Sequence, residues 1–270
     1  ADTYFVGLIG SASASGAVGV VFPLMSIMQA VGFMFGHGSG NYISRSLGAG
    51  DVTEADRMAA TGFFSAFLAG AVIMLAGLIA PETLVYLLGA TPTIAPYASQ
   101  YVLYLMIGAP FLVSSLVLNN QLRFQGSAFY AMVGITSGAV LNVALDPIFI
   151  FVLDMGVGGA ALATSISQMV GFAVLLAGTR KGGNIRIRFR NFAPSWAKYR
   201  EILRGGLPSL ARQGLNSLAT VCLNVAAGAY GDAAIAAMSI VTRVMMMTVS
   251  AIIGFGQGFQ PICGFNYGAR

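Results

Sequence analysis

Seven stretches of this chain are apolar for about the 20 residues that a bilayer crossing needs. They run near residues 13–38, 58–80, 94–117, 127–152, 157–178, 206–229 and 233–258. No other feature limits the fold as much, because in lipid every backbone polar group must be satisfied within the span, and repeated apolar segments of this length do so as helices. Only 9% of the residues are charged, against about 25% in a soluble domain. That leaves too little polar surface for a globule in water. The expected class is an all-α polytopic membrane protein. Closely spaced small residues, as in "GSASASGAVGVV", suit the near approach of helix backbones in lipid.

The connections alternate in charge. Arg45 and Arg57 lie in the first, Arg123 in the third, and Arg180, Lys181, Arg186, Arg188, Arg190, Lys198, Arg200 and Arg204 in the fifth. The intervening connections, around Glu82, Asp154 and Asp232, hold acids without Lys or Arg. The positive-inside rule makes the basic set cytoplasmic. The net charge of +5 therefore reads as topology, and no nucleic-acid partner is expected. The chain opens "ADTYFVGLIG" and ends "NYGAR"; both ends look cut, and a fragment of a longer membrane protein is expected, with the tail of one more helix in residues 1–8.

The long basic connection, which also holds Pro194 and Trp196, divides the chain. The expected organisation is an N-terminal bundle over 1–179, a cytoplasmic linker over 180–205 and the start of a second bundle over 206–270. Two stretches support this with an internal repeat, "FGHGSGNYISRSLGAG" from Phe35 and "FGQGFQPICGFNYGAR" from Phe255. Phe35, Gly36, Gly38, Gly48 and Ala49 match Phe255, Gly256, Gly258, Gly268 and Ala269 at the same offsets. An even number of spans separates the copies, so they point the same way. Parallel repeats about an axis along the membrane normal are a transporter architecture.

Ionisable groups inside membrane spans are functional candidates by default, and this chain has few: Asp2, Asp146, Arg243 and, near the cytoplasmic side, Arg212. Asn142 and Asp146 are four residues apart and share one helix face. Pro147 follows the acid; it lacks an amide donor, so the carbonyl of Val143 loses its partner and the helix loosens beside the site. Counting at 1.5 Å per residue places Asp146 about 10 Å below the outer end of its span. Thr164, Tyr101 and Asp2 fall at a similar depth. A carboxylate there can load and release a proton, or alternate between a proton and a metal ion. The bland alternatives are a structural acid paired with Arg243, an interfacial aromatic at Tyr101 and a packing hydroxyl at Thr164. His37 reads as a polar residue at a helix mouth, Arg212 as a snorkelling side chain, and Met245, Met246 and Met247 as lipid or core contacts. Cys222 and Cys263 are expected to be buried small hydrophobes. Without a metal-ligand cluster, GxSxG or P-loop, the chain is not expected to be an enzyme, and no cofactor beyond a coupling ion is implied.

The stretches "DTYFVGLIG", "ISRSLGAGDVTEA", "LNVALDPIFIF", "GLPS" and "GFGQGFQPICGFNYGA", in this order, resemble the multidrug and toxic compound extrusion (MATE) transporters, most like their bacterial DNA-damage-inducible branch. The resemblance implies a two-lobed bundle of twelve helices in the bacterial cytoplasmic (inner) membrane. This chain would cover the end of helix one to the end of helix eight. It also implies a monomeric antiporter that exports organic cations or amphipathic drugs against protons or sodium. By the same resemblance Asp2 matches the family's helix-one acid, Asn142 and Asp146 the Asn and Asp of helix five, and Tyr101 and Thr164 their polar partners. Sodium could then sit at Asp2 and Asp146. The helix-seven acid of some sodium-linked members is missing from "GLPSLARQGLNS", where Arg212, Gln213 and Asn216 stand. That departure shifts weight to the N-lobe acids. Two other readings are a lipid-linked oligosaccharide flippase of the same superfamily, expected to have a cationic cavity, and a non-transporting membrane scaffold.

Overall fold

The computed structural model describes the backbone of residues 2–181, 185–228 and 232–270, together with most of their side chains. The side chains of Asp2, Asn216, Arg243, Met246 and Met247 lie outside the described residues. The architecture is all-α. Helix α1 (Asp2–Gly7) is followed by α2 (Ala12–Gly48), α3 (Val52–Ile79), the short α4 (Pro81–Leu87), α5 (Ala95–Phe124), α6 (Ala128–Pro147), α7 (Gly156–Lys181), α8 (Trp196–Gly228) and α9 (Asp232–Gly268). The seven predicted spans correspond to α2, α3, α5, α6, α7, α8 and α9. Among the described residues, five helices are both long and apolar enough to cross a membrane: α2, α3, α5, α6 with the turn that follows it, and α7.

The helices outrun the apolar segments where their polar ends find partners in the protein. Helix α2 was expected to stop near residue 38 and continues to Gly48. Its last turns bury Ile43 with Ala55, Met58, Ala59, Ile185 and Ile202. The stop comes from local chemistry: Gly50 takes the left-handed φ of 78°, and the Asp51 carboxylate caps α3 by accepting from the Glu54 amide at 3.0 Å. Helix α4 escaped the sequence reading because seven residues leave no room for a periodic pattern. Pro81 starts it, a position where the missing amide costs nothing.

Helix α5 is the centre of the bundle and packs against α2, α3 and α7. Tyr101, Met106, Leu118 and Leu122 on it are fully buried. The segment expected as a linker is partly helical, since α8 begins at Trp196. Its first turns are held to the cytoplasmic ends of α2 and α3. Glu201 pairs with Arg45 at 2.9 Å, Lys198 approaches Glu54 at 3.7 Å, and Tyr199 meets the Ser65 hydroxyl at 2.9 Å.

Helices α2 and α9, which carry the repeated motif, pack on one another. A Cβ placed on Gly48 would run into the carbonyl of Phe265, and one on Gly268 into the carbonyl of Arg45. Gly48 and Gly268 are 220 residues apart, and so are Arg45 and Phe265. Each copy therefore offers the same glycine to the same point on the other, the self-complementary contact that a two-fold axis produces. Ser44 and Gly264 are separated by the same 220 residues. A Cβ on Gly264 would lie 2.8 Å from the Ser44 hydroxyl, which donates to the Pro261 carbonyl at 2.7 Å. The parallel internal repeat is thus a physical contact.

Two cysteine expectations are corrected. Cys222 and Cys263 are exposed, not buried. Within this chain α8 and α9 pack chiefly on α2 and on each other, which leaves their remaining faces open.

Candidate cation site and cavity

On α6 the four-residue spacing does what helix geometry requires. Asn142 Nδ2 donates to Asp146 Oδ1 at 3.1 Å and to Thr164 Oγ1 of α7, also at 3.1 Å. One amide thus ties the acid to the neighbouring helix. Asp146 is fully buried, as is Tyr101 on α5, and Thr164 is nearly so. Burial of a carboxylate is tolerated only where hydrogen bonds answer its oxygens, and Asn142 supplies one of them.

Pro147 ends α6 beside the acid. The chain continues as a single π-turn, Ile148–Val152, in which the Leu153 amide reaches back five residues to the Ile148 carbonyl at 2.9 Å. A π-turn widens the helix locally and is frequent at functional sites. Here it packs on the start of α7, with Ile150 buried and the Met155 amide donating to the Phe149 carbonyl at 3.1 Å. The loosened helix expected beside Asp146 therefore takes a defined form.

Asn142, Tyr101 and Thr164 line one cavity of about 430 Å³ between α2, α5, α6 and α7. Phe22 and Met25 of α2, Leu112 of α5 and Ile135 of α6 supply apolar wall, while Gln29, Ser115, Ser167 and Gln168 add neutral polar groups. None of the described lining residues is charged. Asp146 stands behind the wall, bonded to it through Asn142. The cavity thus presents an apolar, hydrogen-bonding surface backed by one carboxylate.

Of the predicted site residues, Asn142, Asp146, Tyr101 and Thr164 are gathered in this layer, with Pro147 at its edge. Helix α1 packs on α2, α6 and α7, which brings the Asp2 backbone to the same bundle. The Asp2 and Arg243 side chains lie outside the described residues. Arg212 is exposed. Met245 is exposed as well. His37 is buried in the α2–α5 contact rather than open at a helix mouth. It stacks on Phe33 and meets Phe124 edge-on, with Nδ1 3.1 Å from the Phe33 carbonyl.

Sequence reasoning missed Gln29, Ser115, Ser167 and Gln168. Ser167 and Gln168 were within reach of the rule that linked Asn142 to Asp146, since they stand three and four residues beyond Thr164 on the same helix. A buried polar group at the cytoplasmic end of α5 was also missed. There Arg123 donates to Asn120 Oδ1 at 2.6 Å and to Gln257 of α9, and Gln121 donates to the Ser39 hydroxyl and the Ala59 carbonyl, each at 3.1 Å.

The family model MatE matches residues 1–148 and 208–270. The chain belongs to the MatE family. It is 29% identical over 267 residues to the multidrug export protein MepA of Staphylococcus saprophyticus, covering 98% of this chain and 59% of that protein. It superposes with a TM-score of 0.93, at 31% identity, on a crystal structure of a MATE protein in complex with MaD3S; 99% of this chain and 61% of that one are covered. It also matches, at TM-score 0.90 and 31% identity, the outward-facing conformation of a multidrug resistance MATE family transporter of the MOP superfamily, over 99% of this chain and 60% of the other. The chain thus spans about 59% of the length of that curated relative. Family and fold together make this a multi-pass membrane protein of the MatE family.

Proposed function

We propose that the protein is a cation-coupled antiporter, proton rather than sodium driven, that exports organic cations or amphipathic drugs as a monomer by alternating access. The observation that carries this reading is the Asn142–Asp146–Thr164 cluster, set against a cavity of about 430 Å³ whose described lining is uncharged. A carboxylate behind an apolar wall attracts a cation or takes a proton, and the two compete for the same charge. Protonating Asp146 removes its demand for the Asn142 donor, frees Asn142 to reorient, and loosens the α6–α7 tie. The π-turn after Pro147 gives α6 a place to move. On this reading the N-lobe is residues 1–179, 180–205 join the lobes, and 206–270 begin the C-lobe. Asp2 and Tyr101 complete the cation layer.

The lining favours this cargo over an anionic lipid-linked oligosaccharide, because its described residues include no Lys or Arg. Efflux-protein names among the relatives point the same way. The DNA-damage-inducible branch rests on the sequence motifs alone.

The test uses the full-length protein in vesicles with a fluorescent organic cation. Asp146→Asn should abolish efflux driven by a pH gradient while leaving expression and membrane insertion intact. Efflux at the parental rate from that variant removes the assignment. A sodium gradient that drives the parent as well as a pH gradient does would replace the proton with sodium.

A further inference from the structure

The basic connection carries a pattern that transport leaves unexplained. From Ile185 to Arg190 the residues alternate Ile-Arg-Ile-Arg-Phe-Arg, the period of an extended chain with two different faces. Ile185 is buried against the Ile43–Met58–Ile202 cluster, and Ile187 is half-buried there, while Arg186, Arg188 and Arg190 are exposed. The strap is held by Asp56, which accepts the Arg186 main-chain amide at 2.6 Å.

Between the strap and the end of α7 lies a hollow of about 550 Å³. Leu176, Ile185 and Ile187 supply apolar wall, and Arg180, Arg186 and Arg188 line it as well. Elsewhere on the same cytoplasmic face Arg45, Arg57 and Lys198 are matched with Glu201 or Glu54. Among the described residues none of Arg180, Arg186 and Arg188 has an ion-pair partner. Three guanidinium groups thus line one partly apolar hollow whose described lining holds no acid, the nearby Asp56 carboxylate being bonded to the Arg186 main-chain amide.

We propose that this hollow binds the headgroup of an anionic phospholipid of the cytoplasmic leaflet. Arg180 closes a membrane-spanning helix, Gly156–Lys181, which sets the hollow at headgroup level. Guanidinium forks match phosphate oxygens bidentately. Leu176 lies four residues earlier on α7, one turn towards the membrane, where the glycerol and first methylenes of a lipid would lie. Phe189, next along the strap, and Trp196 are exposed aromatics of the kind enriched at membrane interfaces. A free anion would have no use for the apolar wall.

The full-length protein in detergent, titrated with phosphatidylglycerol, phosphatidylcholine or inorganic phosphate and followed by native mass spectrometry and thermal melting, tests this. Phosphatidylglycerol should be retained and should raise Tm, with neither effect from phosphatidylcholine. Binding should weaken roughly fivefold for each arginine removed, and the Arg180→Gln/Arg186→Gln/Arg188→Gln variant should lose the response. Arg188→Gln alone should show the single step, which keeps the test sound if the triple variant folds poorly. Arg57→Gln, on the same face but paired with Glu54, should leave binding unchanged. Undiminished phosphatidylglycerol binding in Arg188→Gln overturns the proposal. So does equal stabilisation by inorganic phosphate, which would mark a free-anion site.

Discussion

The outer half and the cytoplasmic end of this bundle are built on opposite principles. In the outer half, α6 and α7 are joined through one asparagine with two 3.1 Å hydrogen bonds, next to a π-turn and an open cavity. At the cytoplasmic end, α2 and α9 cross backbone against backbone, glycine on carbonyl, twice over. The first region is held by polar contacts that, on the proposed function, a single proton or cation rearranges. The second is held by fit, and fit of this kind has two states, together or apart. The difference is one of emphasis: the outer layer is joined by side-chain hydrogen bonds around a buried acid, and the α2–α9 crossing by close backbone fit with the Ser44–Pro261 hydrogen bond beside it.

Breaking the closed end should have the largest effect. Gly48→Val or Gly268→Val puts side-chain carbon where a carbonyl already stands. Overpacking costs about 1–3 kcal/mol, which shifts a two-state closure by roughly five- to a hundredfold. A cysteine introduced as Ser44→Cys, with Cys222 and Cys263 replaced by Ser, should then react from the cytoplasmic side far faster than in the parent. The repeat makes the comparison sharper, because the two glycine variants should behave alike. Unequal labelling would mean that the crossing is not symmetric in function.

Asn142→Ala should come next. It removes both hydrogen bonds that tie Asp146 to α7, at about 1 kcal/mol each, so substrate affinity or efflux should fall by up to roughly thirtyfold, with a shifted pH profile. A fall with an unchanged profile would reduce Asn142 to a packing residue. The smallest effect is expected for Glu201→Gln. Its pair with Arg45 is partly exposed, and such pairs contribute about 0–1 kcal/mol. Efflux within about twofold of the parent is the expected outcome, and a large loss would add electrostatics to a closure described above as steric.

Much of this was legible from the chain alone, and for definite reasons. Lipid allows helices and little else, so apolar length located seven long helices, of which five among the described residues are apolar enough to cross a membrane. The 3.6-residue period put Asn142 and Asp146 on one face. What escaped was set by contacts between distant segments. The end of α2 depends on Ile43 finding Ile185 and Ile202, and no local pattern around residue 43 announces that. Glycines at offset 220 were visible as a repeat, but not that each would meet the carbonyl facing its counterpart.

By itself, then, the sequence determined the apolar, helical environment and singled out the buried acid, because both follow from transfer free energies and helical period. Only the tertiary structure decided which polar groups share a cavity, where the basic connection becomes a strap, and how the repeats touch. Those outcomes depend on side chains from separate helices meeting within a few ångströms, and chain order does not encode that distance.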